Sequence, residues 1–471
     1  MSRLSPSRPR VRARAGLHAG SIVGAVTVAA VTAMVVPLTA NAQSAAPGSL
    51  SGSLDAGSSG SAGSGSAGSG SAGSVGSVGS AGSAGSLGAP AARPEDRYPD
   101  EPLPAGPGVE VETLVGGLTI PWDVVRDPNG VVVTGERGTG RVVAIHPDGT
   151  TTDVAADFGD LFTGGESGLM GVALAPDFAQ SREVYTCHSE NFADGTPGDS
   201  RVTAWRAADD WSALEDPEVI VPGIARQNIG HHSGCRILAH PDGTLYIGTG
   251  DTFHGAVPQD LRSLGGKVLH VTRDGSPTQD PARIPDADPR IFTFGHRNVQ
   301  GLALQPGTGR LFSAEHGTHR DDEINQLRAG RNYGWDPLRP GINERDHDDA
   351  SPMTDLVKFP DAVEATWSSG DPTLATSGIA FLDDPSWGEW DGALAVAMLK
   401  TKQIVLMRLD EDGTGVLELG AVIPGEHGRI RSLTAEPGGT LLATTSNGGG
   451  RDEVLRIRPA AVPVPPAPGV E

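Results

Sequence analysis

Arg236-Ile237-Leu238-Ala239-His240-Pro241-Asp242-Gly243-Thr244-Leu245-Tyr246-Ile247 reads as two short apolar strands around a turn. Proline presets the turn's φ and glycine takes the conformation that side chains resist, so the phrase predicts a hairpin. The phrase returns as Trp122-Asp123-Val124-Val125-Arg126-Asp127-Pro128-Asn129-Gly130-Val131-Val132-Val133 and Gly171-Val172-Ala173-Leu174-Ala175-Pro176-Asp177. Further copies are Gly301-Leu302-Ala303-Leu304-Gln305-Pro306-Gly307 and Leu433-Thr434-Ala435-Glu436-Pro437-Gly438-Gly439-Thr440-Leu441-Leu442, with a looser one at Gly378-Ile379-Ala380-Phe381-Leu382-Asp383-Asp384-Pro385. Separations of about 50 to 80 residues between the six prolines suit four strands with long loops. Helical periodicity is scarcely visible, and glycine is abundant at 66 residues. The fold class predicted is all-β: a six-bladed β-propeller with four-stranded antiparallel blades. Chemistry in such a fold collects at one mouth, in the loops between blades.

Outside the repeats the chain changes character. Arg3, Arg8, Arg10, Arg12 and Arg14 precede an apolar run from Ile22 to Leu38 and the small-residue site Ala40-Asn41-Ala42. This is the pattern of a secretory signal over residues 1–42, cleaved before Gln43; a retained single-span anchor is the competing reading. Thr27, Thr32 and Thr39 dilute the run and favour cleavage. Residues 43–107 form a Gly/Ser/Ala/Pro-rich linker that cannot bury apolar surface, 108–458 the propeller, and 459–471 a tail of Ala, Pro and Val. The expected destination is extracellular or cell-envelope, with no stable membrane insertion once the signal is removed.

The formal charge is -22, and loss of the five signal arginines takes it to -27. So acidic a chain excludes nucleic acid as a partner. Cys187 and Cys235 lie in different segments, and sequence leaves open whether they pair or remain buried thiols.

Four groups of residues could carry chemistry. His232 leads into one strand of a hairpin and Asp251 ends the next, so the two can meet at its open end. A carboxylate on one imidazole nitrogen leaves the other to accept a proton, the arrangement of a general base. A purely structural His–Asp pair is the plain alternative; a zinc site of His231, His232, His254 and Asp251 has no recognised spacing. Arg297 and Asn298, in a loop after the strand Ile291–Phe294, could hold an anion or form an inter-blade salt bridge. Lys400, Arg429 and Arg431 form a cation group, the two arginines alternating around Ile430. Gly317-Thr318 lie in a turn ahead of Asp321-Asp322-Glu323. Carbonyls in such a turn suit calcium, as do Glu323 and the carbonyl of Tyr333, against the alternative of a solvated acidic loop.

The order of these motifs resembles the soluble quinoprotein sugar dehydrogenases of the glucose/sorbosone dehydrogenase family, and within it the aldose dehydrogenase branch. The resemblance covers about Val111 to Arg456. It rests on Gly165-Glu166-Ser167-Gly168-Leu169-Met170-Gly171, His232-Ser233-Gly234-Cys235-Arg236, Gln259-Asp260-Leu261-Arg262-Ser263-Leu264-Gly265-Gly266-Lys267-Val268, Gly295-His296-Arg297-Asn298-Val299-Gln300-Gly301, Asp321-Asp322-Glu323-Ile324-Asn325, Asn332-Tyr333-Gly334-Trp335 and Arg429-Ile430-Arg431.

The resemblance implies pyrroloquinoline quinone and calcium in the mouth, a small sugar as substrate and an external electron acceptor, in a monomer or homodimer. It implies that His232 removes the sugar hydroxyl proton while hydride passes from C1 to the quinone, giving a lactone. Asp251 would orient His232, and Arg297, with Asn298 beside it, would stabilise the reduced quinone. Lys400, Arg429 and Arg431, with Thr373, would bind the quinone's carboxylates. Gly317 and Thr318 would ligate the active calcium, and Glu323 and Tyr333 a structural one. Two positions depart from the family pattern: Glu166 stands where glutamine is usual beside substrate and cofactor, and Asp371 where a large aromatic covers the quinone. A lactone-hydrolysing calcium propeller and a non-enzymatic glycan-binding propeller are the competing readings. The first would need a carboxylate-ringed metal in place of three cations.

Overall fold

The computed structural model describes residues 102–460 apart from 195, 280–281 and 341–346. The predicted signal peptide, most of the predicted linker and most of the predicted tail lie outside the described residues.

Six four-stranded antiparallel sheets form the fold, a six-bladed β-propeller. Blade 1 comprises Pro121–Arg126, Val132–Glu136, Val142–Ile145 and Thr151–Val154, and blade 2 Leu169–Leu174, Glu183–Ser189, Ser200–Ala207 and Leu214–Ile224. Blade 3 comprises Gly234–Ala239, Leu245–Thr249, Lys267–Val271 and Ile291–Phe294, and blade 4 Val299–Leu304, Leu311–Glu315, Glu323–Leu327 and Trp367–Ser368. Blade 5 comprises Thr376–Phe381, Leu394–Met398, Gln403–Leu409 and Val416–Val422. Blade 6 takes Ile430–Glu436, Thr440–Thr445 and Asp452–Pro459 from the end of the domain and Val109–Leu118 from its beginning. The first strand of each blade touches the first strand of its neighbours, closing a ring around a central tunnel.

Each of the six phrase prolines falls in the connection between the first and second strands of its blade. The glycine that opens three of the phrases has a packing reason. A Cβ on Gly171 would lie 2.4 Å from the carbonyl oxygen of Cys235 in blade 3, and one on Gly301 2.3 Å from that of Ser377 in blade 5. Inner strands of adjacent blades approach too closely there for a side chain.

Between blades the core is apolar. Leu245, Ile247 and Leu269 are fully buried among Trp122, Met170, Tyr185 and Ile237, and each such side chain contributes about 1.5–3 kcal/mol by leaving water. Cys187 of blade 2 and Cys235 of blade 3 pair, with Cα atoms 5.6 Å apart, inside the range a disulfide spans. Closing a loop of 48 residues restricts the unfolded chain by about 4 kcal/mol in the chain-entropy account.

The ends pack more than composition suggests. Pro104 and Gly106, placed in the linker by sequence, are bonded to the outer strand of blade 5: Gly106 N donates to Ala421 O at 2.8 Å, and Ala421 N to Pro104 O at 2.9 Å. Leu103 supplies the apolar contact that fixes them. Among the described residues no helix is long and apolar enough to cross a membrane.

Candidate active site

Every inner strand begins with a break in register against its neighbour, between Pro121 and Asp123, Leu169 and Val172, Gly234 and Arg236, Val299 and Gly301, Thr376 and Ile379, and Ile430 and Ser432. Bulges re-aim side chains that regular pleating would send to the sheet faces. Those breaks lie at the end of the tunnel where the candidate residues gather.

The open end of blade 3's hairpin brings His232 and Asp251 together, as the sequence reading expected. His232 Nδ1 donates to Asp251 Oδ1 at 2.7 Å, and His232 Nε2 has no hydrogen-bond partner among the described residues. Asp251 is fully buried; its Oδ1 also accepts from Phe253 N at 2.9 Å and its Oδ2 from Trp335 Nε1 at 2.7 Å. Burial opposes ionisation of Asp251, but the imidazoles of His232 and His347 outweigh it and hold the carboxyl well below the usual range. His232, Thr252 and Phe253 have φ of 51°, 60° and 57°, the left-handed region that side chains avoid. Such strain persists only where surrounding contacts hold it. Here a buried lysine supplies some of them: Lys267 Nζ donates to the carbonyls of Val257, Pro258 and Gly265 at 2.9, 3.0 and 2.7 Å, securing the loop after Asp251.

Arg297 and Asn298 approach the same place. Asp251 N donates to Arg297 O at 2.8 Å. The Arg297 guanidinium donates to His316 O at 2.9 Å and stands over Trp335 at 5.8 Å, with Nε unpartnered among the described residues. Asn298 Oδ1 accepts from Gly234 N and Gln300 Nε2, both at 3.1 Å, while its Nδ2 donates to Glu166 Oε2 at 3.0 Å. Burial would push the Glu166 carboxyl up; His232, His316, Asn298 and Arg431 together bring it below its ordinary value. The departure at Glu166 therefore places an ionised carboxylate against Asn298, with the Arg431 charge among the groups that favour it.

Lys400 Nζ donates to Thr373 Oγ1, and Thr373 is buried. Arg429 donates weakly, at 3.4 Å, to Leu399 O. The buried Arg431 Nη1 donates to Gln300 Oε1 at 2.9 Å, and Nε has no partner among the described residues. Burial, reinforced by Arg137, pushes the Arg431 guanidinium down to about 9. The simple alternation expected of Arg429 and Arg431 does not hold, because the strand starts only at Ile430 and breaks register between Ile430 and Ser432, at Arg431. Among the described residues, none of Arg297, Lys400, Arg429 and Arg431 has a carboxylate within 4.0 Å. Asp371 is exposed.

In the turn after blade 4's second strand, Asp322 is fully buried and committed to the backbone, accepting from Gly317 N at 2.9 Å and Leu374 N at 2.6 Å. It shapes the turn and leaves the Gly317 and Thr318 carbonyls free of hydrogen bonds among the described residues. Glu323 is buried; burial, then Glu315 and Asp321, raise its carboxyl well above the ordinary range. Its oxygens accept only from Asn325 Nδ2 at 3.2 Å and Thr354 Oγ1 at 3.3 Å, and the Tyr333 carbonyl has no donor among the described residues. Crowded carboxylates and free carbonyls are a donor set that a hard cation fits.

Sequence reasoning missed Arg137, His316 as a mouth residue, and His347. A positional rule would have found the first two. Mouth residues follow the second strand of a blade, as Asp251, Gly317 and Lys400 do, and Arg137 and His316 stand in equivalent places. His347 obeys no such rule; it reaches Asp251 Oδ2 at 3.2 Å from a long loop.

An oriented imidazole, cations without acid partners and free carbonyls thus gather at one mouth of a six-bladed propeller. The chain belongs to the glucose/sorbosone dehydrogenase family, whose model matches residues 118–456. It is 30% identical over 361 residues to aldose sugar dehydrogenase YliI of Escherichia coli, spanning 74% of this chain and 93% of that one. The PQQ-bound aldose sugar dehydrogenase of Streptomyces coelicolor superposes with a TM-score of 0.62 at 29% identity, covering 76% of this chain and 99% of that one. The apo-form of the soluble Escherichia coli aldose sugar dehydrogenase gives 0.66 at 29% identity, covering 75% and 100%. The chain is thus of the PQQ-family sugar dehydrogenases.

Proposed function

We propose that this protein oxidises aldose sugars at C1 to lactones, with pyrroloquinoline quinone and calcium, and passes the electrons to an external acceptor. One observation carries the reading: four cations stand at one mouth of an acidic chain, and none has an acid partner among the described residues. Two of them, Arg297 and Arg431, are buried, and a buried cation without an acid costs stability, which fits a small anion that completes the site.

Lys400, Arg429 and Arg431, with Thr373, would hold the quinone's carboxylates. The carbonyls of Gly317 and Thr318 would hold the active calcium, and Glu323 and Tyr333 a structural one. Bound there, the quinone supplies a two-electron acceptor and calcium a Lewis acid beside it. His232 Nε2 takes the proton of the C1 hydroxyl, while Asp251 fixes the tautomer and stabilises the imidazolium that forms. Arg297 directs a fixed positive charge at the developing oxyanion. Glu166 stands beside Asn298 and limits the positive charge of the mouth. The exposed Asp371 leaves the site open, which favours a broad choice of sugar. Pairing of Cys187 with Cys235 supports export to an oxidising compartment.

Apo-protein mixed with pyrroloquinoline quinone and calcium is expected to gain dye-linked oxidation of aldoses. His232→Gln should retain quinone binding and lose roughly 10²–10⁴-fold in turnover. Absence of bound quinone by absorbance, together with no activity on a panel of mono- and disaccharides, would overturn the proposal.

A further inference from the structure

We infer that His232, Asp251 and His347 form a binding site for a borderline divalent metal ion such as Zn²⁺, separate from the oxygen donors suited to calcium. One donor atom from each of the three residues lies within 4.8 Å of the others. The His347 side chain is buried, its Nε2 lies 3.2 Å from Asp251 Oδ2, and neither of its ring nitrogens has a hydrogen bond among the described residues. A close approach with the wrong alignment for a hydrogen bond is what two ligands of one ion show. Donors about 2.0 Å from a tetrahedral ion stand about 3.3 Å apart and point at the ion, not at each other. An ion there would complete the imidazole and displace the proton that His232 shares with Asp251.

The surroundings favour that chemistry. Two imidazoles and one carboxylate suit Zn²⁺, Cu²⁺ or Ni²⁺ and are a poor set for calcium, which takes six to eight oxygens. Phe253 and Trp335 wall the site, with ring centroids 4.3 and 5.7 Å from His347. Trp335 Nε1 and Phe253 N hold the two Asp251 oxygens in place, the outer-shell support that metal ligands need. His231 is exposed and His254 falls outside the donor cluster, so the composition of the site differs from the zinc set weighed on sequence. A metal on His232 would also withhold the base and silence turnover. That consequence alone rests on the role proposed for His232, and the binding test below does not use turnover.

The full chain, saturated with calcium, is titrated with Co²⁺ by visible absorption and with Zn²⁺ by calorimetry. One equivalent of each is expected, with the intense visible bands of tetrahedral cobalt and no displacement by excess calcium. His347→Ala should weaken binding by at least the roughly 10–100-fold that loss of an outer-shell partner costs. His347→Cys should restore it and add a sulfur-to-cobalt charge-transfer band, which decides the matter alone if His347→Ala does not fold. No binding by the parent, binding undiminished in His347→Ala, displacement by calcium, or a folded His347→Cys without the band each overturns the site. Loss of quinone-dependent activity with the cobalt spectrum intact would instead sink the dehydrogenase reading and leave the metal site standing.

Discussion

Arg236 and Arg431 sit on inner strands of blades 3 and 6, both nearly inaccessible at 5% and 7% exposure, with guanidinium groups 4.3 and 5.8 Å from the Trp122 ring. Arg236 is neutralised. Its Nη1 meets Asp123 Oδ1, its Nε donates to Gln300 O at 2.9 Å, and Ser432 Oγ donates to the same Asp123 oxygen at 2.7 Å. Asp123 Oδ2 also accepts from Val172 N, so one ion pair ties five blades across the tunnel. Among the described residues, Arg431 has only the neutral acceptors of Gln300 and Ser377. The same residue type, at matching burial, is spent on architecture in one place and left incomplete in the other. What separates them is the acid partner, and the arginine without one is the one assigned to the proposed anion site.

Substituting each arginine with methionine breaks the comparison if the two behave alike. Arg236→Met strands Asp123 in the core and should cost about 3–5 kcal/mol of unfolding free energy, measured by denaturant titration. His188 sharpens the point with a buried imidazole that has no hydrogen bond at Nδ1. Burial, then Arg201, lower it to about 4, against about 6.5 in the unfolded chain. Between those values the unfolded chain binds a proton that the folded one refuses. Stability should therefore fall by about 3 kcal/mol as pH drops from 6.5 to 4, and level off below. His188→Phe should flatten that part of the stability–pH curve. A curve unchanged by the substitution would show that the imidazole is not held neutral. Arg431→Met should leave the stability of the apo-protein unchanged or raise it, yet weaken quinone binding by about 1.5–3 kcal/mol, the worth of a charged hydrogen bond. A quinone dissociation constant equal to the parent's would remove Arg431 from the anion site.

The ring was legible because turn chemistry is local. Pro with Asp or Gly between apolar runs sets a hairpin within about a dozen residues, and all six phrases became the inner hairpins of blades. His232 with Asp251 was legible for the same reason, since one hairpin joins them. The bulges were not, because a break in register depends on a neighbouring strand; the alternation inferred for Arg429 and Arg431 failed there. His347 was invisible for a different reason. It lies 96 positions beyond Asp251 in an acidic loop without periodic pattern, and only the tertiary fold brings them together. The closing strand Val109–Leu118 likewise carries no blade phrase, since its partner is the far end of the domain.

That closing strand also sets an order of events. A ribosome delivers Val109–Leu118 first among the described strands and its partner, Asp452–Pro459, last, an interval of some tens of seconds at about 5–20 residues per second. Throughout that wait the strand has no hydrogen-bonding neighbour, and blade 6 cannot be completed by any fragment lacking either terminus. Glu110 and Glu112 alternate with Val109 and Val111 along it, placing charge on an unpaired edge and so discouraging other chains from taking the partner's place.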